Sequence, residues 1–128
     1  MMFGAQLSSA QITNPIEAHI NHKFTIDNTT LPPGQYTFRI LQGSDMSAMG
    51  VKSADGNIAH EFLVREADAP SMPNHSESVF NRYGDREILT EIFEQGRRLG
   101  VAVVEPSREE LRLQQQGQHA IEHTEEQQ

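Results

Sequence analysis

Residues 16–41, IEAHINHKFTIDNTTLPPGQYTFRIL, decide the fold that this sequence predicts. Apolar and polar residues alternate over residues 16–26, which is typical of a strand with one buried face. Pro33-Gly34 suits the centre of a type II turn, because glycine accepts the positive φ that the second central position requires. A second alternating run over residues 35–41 follows the turn. The segment therefore predicts two consecutive β-strands.

Shorter runs of the same kind continue the pattern downstream. They predict strands over residues 47–53, 58–65, 78–83, 87–93 and 101–104. Asp55-Gly56 and Gly84-Asp85 fall between consecutive runs, where such dipeptides favour tight hairpins. We therefore expect a mainly β fold, a small antiparallel β-barrel or sandwich of about six or seven strands.

Composition divides the chain into three parts. We expect a flexible N-terminal segment over residues 1–14, the antiparallel β domain over residues 15–104, and a polar C-terminal helix and tail over residues 105–128. Ser107 and Glu110 match a capping box, which predicts a helix start. The helix carries little apolar surface, so we expect it to fray early.

Charge and cysteine content exclude several classes of function. The 128 residues carry a net charge of −8 without a concentration of Lys and Arg, which disfavours nucleic acid as a partner. The chain has no run of about 18 apolar residues, so membrane insertion is not expected. With no cysteine, neither a disulfide framework nor thiolate chemistry is available. No cofactor is required by any of these features.

Histidines are the first candidates for a binding site. His119 and His123 stand four residues apart, and a helix there would place both on one face at a spacing that can chelate a divalent metal ion. A solvated Gln- and Glu-rich tail is the alternative interpretation. His22 and His60 alternate in phase with the inward residues of their strands, so they are candidates for metal binding or proton transfer, or for hydrogen bonds to backbone at the end of a barrel.

Arg82, Tyr83 and Asp85 form a second candidate group at the Gly84-Asp85 hairpin. A salt bridge between Asp85 and Arg82 would fix the turn, and the same guanidinium fork would suit the carboxylate of a ligand. Nucleophilic catalysis finds no support, because no serine lies in a Gly-x-Ser-x-Gly elbow. The sequence therefore favours a protein that is not an enzyme.

Two longer motifs resemble a known family. Leu31-Pro32-Pro33-Gly34-Gln35-Tyr36 and Phe80-Asn81-Arg82-Tyr83-Gly84-Asp85 resemble patterns of small, uncharacterised proteins abundant in Acidobacteria, over roughly residues 16–113. The resemblance implies a β domain and a precursor exported to the periplasm or cell exterior. Residues 1–11 carry neither the basic segment nor the continuous apolar run of a signal peptide. The family implies no activity and no catalytic residues.

Three functions are consistent with these observations. We expect a non-catalytic binding or self-assembly protein, and the polar tail suggests a homo-oligomer in which it covers another subunit. A small-ligand carrier would use a barrel interior lined with phenylalanines: Phe24, Phe38, Phe62 and Phe80. A metal-dependent enzyme would require His22 and His60 to lie within reach of one ion.

Overall fold

The computed structural model describes residues 15–41, 48–104 and 108–127. These residues form ten strands and one helix. In chain order they are β1 (Ile16–Ile20), β2 (Phe24–Ile26), β3 (Thr29–Leu31), β4 (Gly34–Leu41), β5 (Ala48–Ser53), β6 (Ala59–Asp68), β7 (Ser76–Tyr83), β8 (Arg86–Phe93), β9 (Leu99–Val103), α1 (Arg108–Gln115) and β10 (Ile121–Gln127).

The first predicted strand is two strands in the structure. The alternation of buried and exposed residues holds along β1, but the chain bends at Asn21 and His22 before β2 begins. β2 then turns back on β3, which pairs with it antiparallel around Asp27, a residue with a φ of 55°. Aspartate is among the few non-glycine residues that tolerate this left-handed region. The bend matters for function because it carries His22 out of the β1 ladder.

The strands form one mixed sheet that is not closed. Along its main path the order is β1-β4-β5-β6-β9-β8-β2-β3, and β8 also pairs with β7, which pairs with β10. All described pairs are antiparallel except that between β2 and β8. The mainly β class is confirmed. The expected count of six or seven strands is wrong, because β2, β3 and β10 add to it, and the sheet is open where a closed barrel was one expectation.

Strand β6 connects the two halves of the sheet. Its first half, from Ala59 to Leu63, pairs with β5, and its second half, from Val64 to Asp68, pairs with β9. β6 continues to Asp68, beyond the predicted strand end at residue 65, so residues 69–75 connect it to β7.

One buried cluster fills the space between the two halves. Phe24 packs edge to face on Tyr36 at a centroid distance of 5.3 Å and on Phe80 at 6.0 Å. Aromatic pairs prefer this geometry, which adds about 0.5–1.5 kcal/mol per pair to the burial of apolar area. Phe38 and Phe62 belong to the same cluster. The four phenylalanines that a carrier would use to line a cavity therefore pack in the core.

The C-terminal part contains the predicted helix, α1, but a strand follows it where a frayed tail was expected. α1 packs on the outer face of the sheet through Leu113, which joins Tyr83 and Ile88 in a small buried cluster. Its first backbone N–H, that of Arg108, donates to Oδ1 of Asn28 at 2.8 Å. The predicted capping residue Ser107 lies outside the described residues. After α1 the chain forms β10, because backbone pairing with β7 stabilises a sequence with little strand propensity of its own.

Candidate functional site

A seam between two sheet edges is the place where polar side chains converge. β1 ends the main path of the sheet, and β10 ends the branch beyond β7. The two strands come into contact without forming a backbone ladder. His22 lies in the bend just beyond β1, so its side chain reaches the inner face of β10. The site is therefore assembled from segments about a hundred residues apart in sequence.

His22, Glu87 and His123 form the centre of this seam cluster. One potential ligand atom from each residue lies within 4.8 Å of the other two. Glu87 is buried, with a side-chain exposure of 6%, while each histidine is 25% exposed. Both imidazoles rest on the ring of Phe80, at centroid distances of 5.1 and 6.0 Å. The cluster thus has an apolar floor and an opening to solvent.

Glu125 adds a second carboxylate two residues beyond His123. Its Oε2 lies 2.7 Å from Nε2 of His22 and 3.6 Å from Nε2 of His123. Ligand atoms of a tetrahedral zinc ion lie about 3.3 Å apart, since each bond is about 2.0 Å long. The two observed separations lie on either side of this value. Oε2 of Glu125 is therefore spaced to share an ion with either histidine.

The Nδ1 atoms of both histidines have acceptors of their own. Nδ1 of His22 lies 3.1 Å from the carbonyl oxygen of Lys23, and Nδ1 of His123 lies 3.1 Å from Oε1 of Glu87. Histidines that bind metal ions usually donate their other N–H to a carbonyl or carboxylate in this way, which fixes the tautomer and leaves a lone pair on Nε2. The arrangement favours Nε2 as the ligand atom of each histidine.

Arg82 decides between two modes of metal binding at His123. Its Nε donates to Oε2 of Glu87 at 2.6 Å, and its Nη2 lies 3.1 Å from Nδ1 of His123. An ion bound at Nδ1 of His123 together with Glu87 would meet this guanidinium and be repelled by it. An ion bound at Nε2 together with Glu125 leaves the Arg82–Glu87 pair intact. Electrostatics therefore favours the Nε2 mode.

The same hydrogen bonds from His123 and Arg82 shift the pKa of Glu87. Burial alone would raise the pKa of this carboxyl, but hydrogen bonds from His123 and Arg82, together with the nearby charge of His22, outweigh it and hold the pKa below its ordinary value. Glu87 is therefore ionised at neutral pH. A carboxylate in that state is a strong acceptor for the N–H of His123.

Ser78 supplies an unused polar group beside Glu125. The two residues are partners in the β7–β10 register, and side chains of such partners lie on the same face of a sheet. Ser78 is fully buried, and its hydroxyl has no hydrogen-bond partner within the described part of the chain. Buried polar groups are normally paired, so a hydroxyl in this position is available to a carboxylate that reorients around an ion.

The seam brings together three of the seven residues that the sequence singled out. His22, Arg82 and His123 meet there, whereas His119 is exposed in the connection before β10. The pairing of His119 with His123 on a helix is wrong, because residues 121–127 form a strand.

The remaining candidates lie elsewhere. His60 faces Val51 across the β5–β6 ladder and stacks on Phe62, with strands β4 and β5 between it and β1. The structure therefore does not bring His60 to His22. Tyr83 points to the opposite face from Arg82, where its hydroxyl donates to Glu110 at 2.7 Å and anchors α1.

Asp85 lies in the hairpin turn beside the seam. It lines a 240 Å³ hollow with Lys23 and Glu87, among other residues. The hollow lies next to the cluster. Asp85 thus borders the site without belonging to the group of candidate ligands.

Glu87 and Glu125 are the site residues that sequence reasoning missed. Glu87 alternates in phase with Leu89 along β8, and an inward carboxylate at a strand end was a detectable signal. Glu125 gave no such signal, because a Glu-rich terminal segment is usually solvated.

Comparisons with known proteins were made for the whole chain. No family model, curated protein or solved structure matches it. The resemblance to the Acidobacteria family stays a prediction. Among the described residues, no helix has both the length and the apolar character needed to cross a membrane.

Proposed function

We propose that this protein is a non-catalytic binding domain whose ligand is a divalent transition-metal ion, held at the seam between β1 and β10. The observation that carries the proposal is the pair of imidazoles from His22 and His123. Their Nε2 atoms approach the same oxygen of Glu125, and both Nδ1 atoms lie next to acceptors. An ion bound at Nε2 of His22 would lie between that nitrogen and the carboxylate of Glu125.

The donor set indicates the class of metal. Two imidazole nitrogens and a carboxylate oxygen suit Zn²⁺, Co²⁺ or Fe²⁺ better than Ca²⁺ or Mg²⁺, which prefer oxygen ligands. Three protein ligands leave at least one coordination position open. The charges at the seam also accommodate an ion, because Glu87 and Glu125 outweigh Arg82 by one negative charge when both histidines are neutral.

Core packing weighs against the carrier alternative. Phe24, Phe38, Phe62 and Phe80 have side chains that are between 0% and 4% exposed and pack in one cluster. A carrier needs a cavity of some 300 Å³ or more among such residues. Self-assembly is a separate hypothesis, which the number of chains per particle in a native mass spectrum tests.

The test is a metal titration of chelator-treated full-length protein. Native mass spectrometry should show one Zn²⁺ per chain together with the number of chains per particle, and calorimetry should give the affinity. Co²⁺ should produce the visible absorption of a four- or five-coordinate site. His22→Ala and His123→Ala should each weaken binding by more than about tenfold, since loss even of a group that only supports a ligand costs 10–100-fold.

His119→Ala is the matched control. It removes a histidine four residues from His123 that is exposed in the structure, so affinity should stay within about twofold. Absence of Zn²⁺ and Co²⁺ binding to the unmodified protein would refute the proposal. An equal loss in His119→Ala and His123→Ala would instead indicate a site in the terminal segment and not at the seam.

A further inference from the structure

Strand β10 has an unusual composition for a strand at the edge of a sheet. Its sequence is IEHTEEQ, and Ile121, its one aliphatic residue, is 67% exposed. Among its described side chains, only His123 and Glu125 are partly buried. Most strands dock by burying apolar side chains on one face. β10 instead presents a histidine and a carboxylate to the core.

The attractive side-chain contacts of β10 converge on the seam cluster. His123 contacts Glu87 and Phe80, and Glu125 contacts His22. Backbone pairing is confined to one edge, where seven residues of β10 match β7. Polar contacts at the seam therefore hold the inner face of the strand.

Like charges oppose the docking of β10 elsewhere. Glu126 stands directly opposite Glu77 in the β7–β10 register. Burial raises the pKa of Glu77, and the charge of Glu126 raises it further, partly offset by His75. Burial likewise raises the pKa of Glu91, with Glu122 of β10 adding to the shift and Arg65 reducing it. Like charges directly opposite each other on a sheet are destabilising.

We infer that β10 is a metal-locked strand: an ion at the seam joins His123 and Glu125 of β10 to His22 beyond β1, and without the ion the strand detaches readily. The inference rests on the proposed metal site and adds its regulation. Two of the three proposed ligands belong to β10, so the complete site exists only while the strand is docked. Linkage is reciprocal, and an ion that binds only the docked state must favour docking.

Hydrogen exchange measures this coupling directly. Full-length protein is exchanged with and without Zn²⁺ at about 100 times the dissociation constant, and peptides covering residues 121–127 are followed by mass spectrometry. Exchange through detachment of the strand should slow by about 100-fold, the factor by which the bound state is then favoured. Amides in β4 and β5 serve as the internal reference for global unfolding, because both strands lie on the main path of the sheet and neither pairs with β10.

His22→Ala separates the lock from a general effect of zinc. The substitution leaves the sequence of β10 unchanged but removes a ligand beyond β1, so Zn²⁺ at the same concentration should no longer slow exchange in residues 121–127. His119→Ala should respond to Zn²⁺ as the unmodified protein does. Unchanged exchange in β4 and β5 would show that both variants are folded.

The outcomes distinguish the two proposals. Zn²⁺ binding by calorimetry without slower exchange in residues 121–127 would overturn the lock and leave the metal site standing. Slower exchange throughout β4, β5 and β10 alike would also overturn it, because the ion would then stabilise the whole domain and not the strand. If no ion binds, the metal site and the lock fall together.

Discussion

Exchanging each carboxylate of the seam for its amide identifies the one that binds the ion. The pair of variants is Glu125→Gln and Glu87→Gln, which keep side-chain size and remove one negative charge each. In the Nε2 mode, Glu125 is a ligand, whereas Glu87 accepts the N–H on the far side of the His123 ring. Glutamine keeps an acceptor oxygen, so both variants retain much of the hydrogen bonding around the site.

The structure gives unequal magnitudes for the two losses. An ion on Nε2 of His123 would be bonded to Oε2 of Glu125 directly, whereas Glu87 would act on it only through the hydrogen bond at the opposite nitrogen of the ring. Glu87→Gln should weaken Zn²⁺ binding by about 10–100-fold, or about 1.4–2.7 kcal/mol. Glu125→Gln should cost more than about 100-fold.

Calorimetric competition against a chelator of known affinity measures both losses on one scale. Far-ultraviolet circular dichroism before titration confirms that each variant keeps its β structure. A larger loss in Glu87→Gln than in Glu125→Gln would refute the reasoning from Arg82 and assign the ion to the Nδ1 side of His123. Equal affinities for both variants and the unmodified protein would show that neither carboxylate contributes.

Three further perturbations test the packing and charges around the site. Glu77→Gln should raise the free energy of unfolding in urea at neutral pH by about 0.5 kcal/mol, because it removes the repulsion from Glu126; a decrease would contradict the register of β10. The lowered pKa of Glu87 means that its contribution to stability is complete above the unfolded-state value of about 4.3 and is lost as the pH falls through its lower folded value. Urea denaturation from pH 6 down to pH 3 should therefore show a decline that Glu87→Gln reduces. Gly100→Ala should lower the free energy of unfolding by about 1–3 kcal/mol, since its Cβ would overlap the backbone and a phenylalanine ring of β8. Thermal denaturation measures the loss. Gly50→Ala is the control, because its Cβ would make ordinary contacts.

Local sequence patterns predicted most of the core strands correctly. Alternation over residues 35–41 and the Asp55-Gly56 turn correspond to β4 and to the β5–β6 hairpin, because both depend on residues close in sequence. The bend at His22 left no such signal, since the alternation of residues 16–26 continues in phase across it. Only packing against the rest of the sheet shows that two strands are present there.

The contacts at the seam could not be predicted from local sequence patterns. His22 and Glu125 are 103 residues apart, and nothing near either residue specifies the other as its partner. β10 was missed for a related reason. Its glutamates disfavour a strand intrinsically, and the pairing with β7 that stabilises it is a tertiary interaction. His123 was a correct candidate placed in the wrong element, because helical spacing was the only pattern visible around it.

Strand β6 is the last strand before the connection at residues 69–75, and it pairs with strands on both sides of that connection in sequence. Residues 69–75 connect β6 to β7, and a cut there would leave β1 to β6 on one fragment and β7 to β10 on the other. His22 would belong to the first fragment, and Glu87, His123 and Glu125 to the second. The two fragments would meet along the β6–β9 and β2–β8 pairs. Zinc-dependent complementation of the two fragments would then turn this protein into a split sensor for the ion.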